Sequence, residues 1–162
     1  MGHSKQGFQF LQQLEQSVQK IGDESKLATA FVNLAEATGE MGHSEQGLLF
    51  LQQLEQSAQK KIAAKFERAQ VFQSLAKAAG KLGKTFPEEI NRFLSTLESH
   101  TSNFEQKSQD LAIHLNGLSQ AYADLGNFRK AFALADQIED KYPEKVFALI
   151  HLQKRYKERG KK

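Results

Sequence analysis

The chain has 162 residues, a length that suits one ordinary domain or one short helical array. Apolar and charged residues make up 40% and 25%, the balance of a soluble globular protein, and no apolar stretch is long enough to span a membrane. With no cysteine there is neither a disulfide framework nor thiolate chemistry, and no charged-then-apolar leader is visible, a combination that favours the cytoplasm.

The net charge of +3 is unevenly placed. Residues 154–162 hold six basic side chains and one acidic one, which leaves the rest of the chain at about −2. Such a tail reads first as a solvated helix end, where Lys and Arg complement the helix dipole, rather than as a field for polyanions.

From the N-terminus, residues 1–20 (MGHSKQGFQFLQQLEQSVQK) recur at 41–60 (MGHSEQGLLFLQQLEQSAQK) with 16 of 20 positions identical. The opening Met-Gly-His-Ser could pass for a leftover tag, but its return at Met41, Gly42, His43 and Ser44 makes it part of the repeat. A fixed period of this length points to units that bury their apolar faces only against one another. The apolar period is helical throughout, and the predicted helices span 4–20, 25–39, 44–60, 63–81, 87–99, 104–124, 127–140 and 144–159. Met41-Gly42, Leu82-Gly83 and Leu125-Gly126 close long helical stretches, and glycine suits the left-handed residue past a helix end. Ser44, Thr85 and Asn127 stand where the next helices need caps, and Pro87 falls in a first turn. Between Lys60 and Lys61 no residue type marks a break.

Residues 21–40 against 62–81 keep seven of twenty positions, all apolar or small. The changed positions are largely polar: Glu36 becomes Lys77, and Glu40 becomes Lys81. Small residues let helices approach while large ones fill the layer between them, so core chemistry is kept as a surface is rewritten.

The stretch from Asp110 to Lys145 resembles a tetratricopeptide repeat. Leu118, Ser119 and Tyr122 on one helix, then Ala131 on the next and Pro143 after it, stand at the family spacing around Leu125-Gly126-Asn127-Phe128. Ala135 and Ile138 fill the remaining packing positions, and Leu149, Leu152 and Tyr156 continue the phase. Earlier units, with Phe31, Leu34 and Ala35 and then Phe72, Leu75 and Ala76, are lengthened to about 40 residues.

The resemblance implies an all-α, right-handed α-solenoid of antiparallel helix pairs in one domain. Its units are approximately 1–40, 41–81, 82–124 and 125–162, and the array could be a slice of a longer one. In this phase 25–39, 63–81, 104–124 and 144–159 are first helices and the others second helices. The family's first helices line a concave binding surface. Carried onto this chain, that row is Asn33, Glu36 and Glu40, then Gln73, Lys77 and Lys81, then Asn116, Gln120 and Asp124, then Lys154 and Lys157. The family's clamp for a terminal carboxylate needs a basic residue where Val32, Gln73, Asn116 and Ile150 stand, so that mode is not supported.

The function expected is therefore a scaffold that binds a protein or peptide segment on its first-helix face. An RNA-binding helical repeat and a structural spacer are the alternatives; Glu36, Glu40 and Asp124 on the row argue against nucleic acid. No nucleophile motif, phosphate loop or dinucleotide fingerprint is present, so neither an enzyme nor a cofactor is expected. The five histidines lack metal-ligand spacing, and no metal is expected. Helix 4–20 enters the array without the first helix its phase demands. Its Phe8, Phe10, Leu11 and Leu14 are expected to leave an apolar surface for self-association, a homodimer through this helix.

Overall fold

The computed structural model describes residues 2–41, 45–83 and 85–160, with the backbone alone for residues 2–5. The described residues form eight α-helices and no strand: α1 (Gly2–Val18), α2 (Glu24–Glu40), α3 (Glu45–Lys61), α4 (Lys65–Leu82), α5 (Pro87–Ser99), α6 (Gln109–Leu125), α7 (Phe128–Asp136) and α8 (Pro143–Arg159). A short 3-10 turn, His100–Asn103, follows α5. The bounds lie within two residues of the sequence expectation except at the start of α6 and the end of α7. The turn residues Gly42, His43 and Ser44 lie outside the described residues, as does the side chain of His3. No helix among the described residues is long and apolar enough to cross a membrane.

Local chemistry accounts for five of the eight helix starts and for the end of α6. Asp23, Ser108 and Asn127 each accept a bond from a first-turn amide, those of Lys26, Leu111 and Lys130, at 3.0, 3.1 and 3.3 Å. Pro87 and Pro143 sit in first turns, where a missing N–H costs nothing. Gly126 ends α6 in the left-handed conformation (φ 82°), and Asn127 N–H then reaches back to the Tyr122 carbonyl at 2.8 Å.

Elsewhere the expectation needs correcting. Gly83 is right-handed (φ −65°), so backbone freedom is not what it supplies; the Leu125 side chain packs against it instead. Thr85 is not a cap, since α5 begins after Phe86 with no side-chain bond. The start of α6 moves to Gln109 because Lys107 takes a positive φ of 62° and Ser108 caps the helix behind it. The Tyr142 hydroxyl fixes that bend by donating to the Lys107 carbonyl at 2.8 Å.

The break between α3 and α4 has a cause no local reading could find. Ala64 offers no side-chain cap. The Glu24 carboxylate, from the start of α2, accepts from the amides of both Ala63 and Ala64 at 2.9 Å. One unit thus pins the chain where it enters the next unit's helix, and charged acceptors make such bonds strong.

Packing centres on α4 and α6, whose contact is the most extensive in the molecule, followed by that of α2 with α4. Small residues allow this. A Cβ on Gly39 would stand 3.0 Å from the Ala78 Cα, and one on Gly80 would stand 2.9 Å from the Ala121 Cα. Gly39 and Gly80 are equivalent in the repeat, as are Ala78 and Ala121, so one contact is used twice in succession. Gln73 meets Gly117 as Gly80 meets Ala121, so α4 and α6 run parallel. Helices α2, α4, α6 and α8 make a row of successive neighbours, with α3, α5 and α7 packed beside it. Helices α6 and α7 fold back as a hairpin, and buried Ser119 donates across it to the Ala131 carbonyl at 2.8 Å.

Candidate functional site

Between α2 and α4 lies a cleft of about 500 Å³. Four repeat positions, each contributed twice, line it: Asn33 with Ser74, Glu36 with Lys77, Ala37 with Ala78, and Glu40 with Lys81. The alanines are the floor that lets the two helices approach. The rewritten positions are the rim. On this rim α2 presents two carboxylates and α4 two ammonium groups.

The two charge pairs differ. Glu40 and Lys81 meet at 3.0 Å as an exposed ion pair, a contact contributing roughly 0–1 kcal/mol. Lys77 is half-buried. Burial pushes its pKa below the ordinary lysine value; Glu36 opposes that shift and Lys81 adds to it. An ammonium partly stripped of water gains more from an incoming carboxylate or carbonyl than a fully hydrated one does.

Five of the expected row residues are thereby brought together: Asn33, Glu36, Glu40, Lys77 and Lys81. The others are placed differently. Gln73 is half-buried between α4 and α6, and its amide donates to the Ile113 carbonyl at 3.2 Å. Asn116, expected on the surface, is buried, and its Oδ1 accepts from Gln120 at 2.8 Å. The tight α4–α6 contact covers it. Asp124 faces α8, where it accepts from His151 at 2.8 Å and from Arg155, while Arg159 bonds its carbonyl. Burial works to raise the Asp124 pKa, but the bond and charge of His151, with those of Arg155, hold it below the ordinary carboxylate value. Lys154 and Lys157 are exposed on α8. Sequence reasoning missed Ser74, although it is the repeat partner of Asn33, and it missed the roles of His151 and Arg155.

Helix α1 also divides. Phe8 and Leu11, read as surface residues, are buried, and the Phe8 ring packs against Gly47 of α3. Phe10 and Leu14 remain exposed. Alongside them a second cleft, of about 440 Å³, runs between α1 and α3 with an amide-rich lining that includes Gln12, Gln16, Gln53 and Gln56.

A buried polar cluster joins α3, α4 and α6. His100 Nε2 stands 2.8 Å from Glu55 Oε1 and beside the Gln59 side-chain amide. Gln59 also donates to Glu55. The His100 ring stacks on Phe72 at 4.9 Å between centroids. His114 lies 5.8 Å from Phe72 and 5.2 Å from Phe104 and is fully buried, with the Leu97 backbone beside its ring. Burial pushes its pKa down to about 4, so it is neutral at physiological pH. Among the described residues, no three His, Asp or Glu side chains converge as metal ligands would.

No protein-family model, no curated protein and no solved structure gives a match to this chain.

Proposed function

We propose that this chain is a non-catalytic interaction scaffold, an α-solenoid of helix pairs like tetratricopeptide repeats, that binds a protein segment in the α2–α4 cleft. The carrying observation is that the lining consists of repeat-equivalent positions whose alanines are kept and whose two charged members switch sign between units. Packing needs explain the alanines. They do not explain why one wall is acidic and the other basic. A partner segment with charges of both signs is held in register by such walls, because a shifted or reversed segment sets like charges together. The repeated small-residue contacts between α2 and α4 and between α4 and α6 support the solenoid reading.

The test is capture of partners from the native cell, with the bound segments mapped by crosslinking, followed by Glu36→Lys and Lys77→Glu. Glu36 is exposed, so its reversal should leave stability within about 0.5 kcal/mol, while reversal of half-buried Lys77 should cost more, about 1 kcal/mol. Affinity for the mapped segment should fall by about 1–3 kcal/mol if either residue is an anchor. Unchanged affinity after both reversals would place the binding site elsewhere.

A further inference from the structure

The α2–α4 cleft holds a polar group that packing does not require. Ser74 is 6% exposed and lines the cleft, yet among the described residues its hydroxyl has no hydrogen-bond partner. A buried hydroxyl left unmatched costs free energy, and close helix packing needs no hydroxyl at all. The next unit shows this. The spacing from Gly83 to Gly126 sets Ser74 equivalent to Gly117, where a Cβ would stand 2.6 Å from the Gln73 Cα. There α4 and α6 close over the position. Between α2 and α4 the same position carries a hydroxyl and faces an open cleft.

Ser74 and Lys77 are an i, i+3 pair on α4 and so share a face. Lys81, one turn beyond Lys77, is matched by Glu40 at 3.0 Å. Lys77 has no such contact: among the described residues no carboxylate reaches its ammonium within ion-pair distance, and Glu36 acts on it only through its charge. Glu36 is exposed, so water screens it, whereas Lys77 is half-buried and screened less. On the α2 wall, the exposed amide of Asn33 also lacks a hydrogen-bond partner among the described residues. The cleft thus has a closed end, Glu40 with Lys81, and an open end where a hydroxyl, an ammonium and an amide can all donate.

We infer that this open end is a subsite for one carboxylate, the side chain of an aspartate or glutamate inside the bound segment, with Ser74 and Lys77 donating to it and Asn33 closing it from α2. The inference rests on the reading of this cleft as a segment-binding site and adds what the segment carries there. Charge-assisted hydrogen bonds are the stronger kind, and a partly dehydrated ammonium beside a buried hydroxyl can direct two of them at one anion. A phosphate fits less well. Its second charge would stand near Glu36 and Glu40, with Lys81 already matched. The subsite also differs from the clamp for a terminal carboxylate, whose basic positions are held here by Val32 and Gln73. Glu36, at the exposed rim, is left to take a basic side chain of the same segment.

Titration followed by backbone amide NMR tests it, with terminally blocked glutamate (N-acetyl-glutamyl amide) and its neutral isostere, blocked glutamine, as probes. Blocked glutamate should shift the amides around Ser74 and Lys77 along a saturable curve. Blocked glutamine should bind at least about 10-fold more weakly. Ser74→Ala keeps a good helix former and Lys77→Met keeps an apolar stem, so circular dichroism should show an unchanged fold. Each should weaken blocked glutamate about 10-fold, while Glu36→Gln should leave it unchanged or tighten it. Absence of saturable shifts up to about 100 mM, or equal binding of the two probes, would overturn the inference. Inorganic phosphate binding more tightly than blocked glutamate would overturn it in favour of a phosphate site. Partner capture with crosslinking tests the wider reading separately. A segment lying in the cleft with no acidic residue beside Lys77 would overturn the subsite and leave segment binding standing. Saturable glutamate binding with no segment in the cleft would overturn segment binding and leave the subsite.

Discussion

Helices α1 and α3 contain the same heptapeptide, Leu-Gln-Gln-Leu-Glu-Gln-Ser, at 11–17 and at 51–57, and the molecule treats the two copies differently. In α3, Leu51, Leu54 and Glu55 are all buried; in α1, Leu11 is buried, Leu14 is exposed and Glu15 is half-buried. Both copies set a Gln beside the Glu one turn on, through Gln19 with Glu15 and Gln59 with Glu55. The Glu15 pair then meets Ser57 and Lys61 of α3, whereas the Glu55 pair meets His100 against the aromatic core. Identical local sequence gives an identical helix, but the neighbouring unit decides what the helix buries.

The sharpest way to break this comparison is to cut the same side chain from both copies. Phe50→Ser should cost about 3–5 kcal/mol, as a fully buried aromatic does, while Phe10→Ser should stay within about 0.5 kcal/mol. Urea unfolding of both variants checks this through the midpoint at constant slope. Equal losses would mean that Phe10 is covered in solution.

The second effect belongs to the cluster behind α3. The unfolded chain protonates a histidine near pH 6.5, but folded His114 holds out to about 4. Between those values the unfolded state binds the extra proton, so stability falls as pH drops through 6.5 and the loss is complete near 4. The full loss is about 3 kcal/mol, and His114→Leu should flatten this part of the profile. Unfolding at a series of pH values provides the check.

The smallest effect concerns how units are joined. Glu24→Ala leaves the Ala63 and Ala64 amides without their carboxylate and should cost about 1 kcal/mol. Glu24→Gln should recover part of it, because an amide oxygen still accepts. Denaturation midpoints of the two variants and the parent settle the order.

Most of the helix plan was legible because apolar period and cap chemistry are local: Pro87 and Asn127 act within one turn of themselves, and Asp23 and Ser108 do so as well, although sequence alone singled out neither and started the sixth helix at 104. That Asn33, Glu36, Glu40, Lys77 and Lys81 share one cleft was also legible, since Glu36 and Lys77 are repeat partners with opposite charge and equivalent positions on neighbouring helices face each other. What failed was long-range. Glu24 caps a helix forty residues away, and nothing around Lys60 announces it. Asn116 has the polar character of a groove residue but sits where α4 and α6 approach most closely, and Gly117, the signal for that approach, is informative only once its neighbour Gln73 is known. The five histidines gave no metal spacing, and spacing alone could not show that His100 and His114 converge on Phe72.

The central claim is that neighbours, not local sequence, set the stability of the two copies, and backbone amide hydrogen exchange tests it most directly. Residues 11–17 and 51–57 have the same side chains in the same order, so their intrinsic exchange chemistry is nearly the same. Resolved site by site by NMR under native conditions, any large difference reports only what surrounds each helix. The amides of α3 should exchange at least about 10-fold more slowly than their counterparts in α1, with the slowest approaching the global unfolding limit. Equal protection along the two heptapeptides, in a sample shown to be monomeric, would contradict the account.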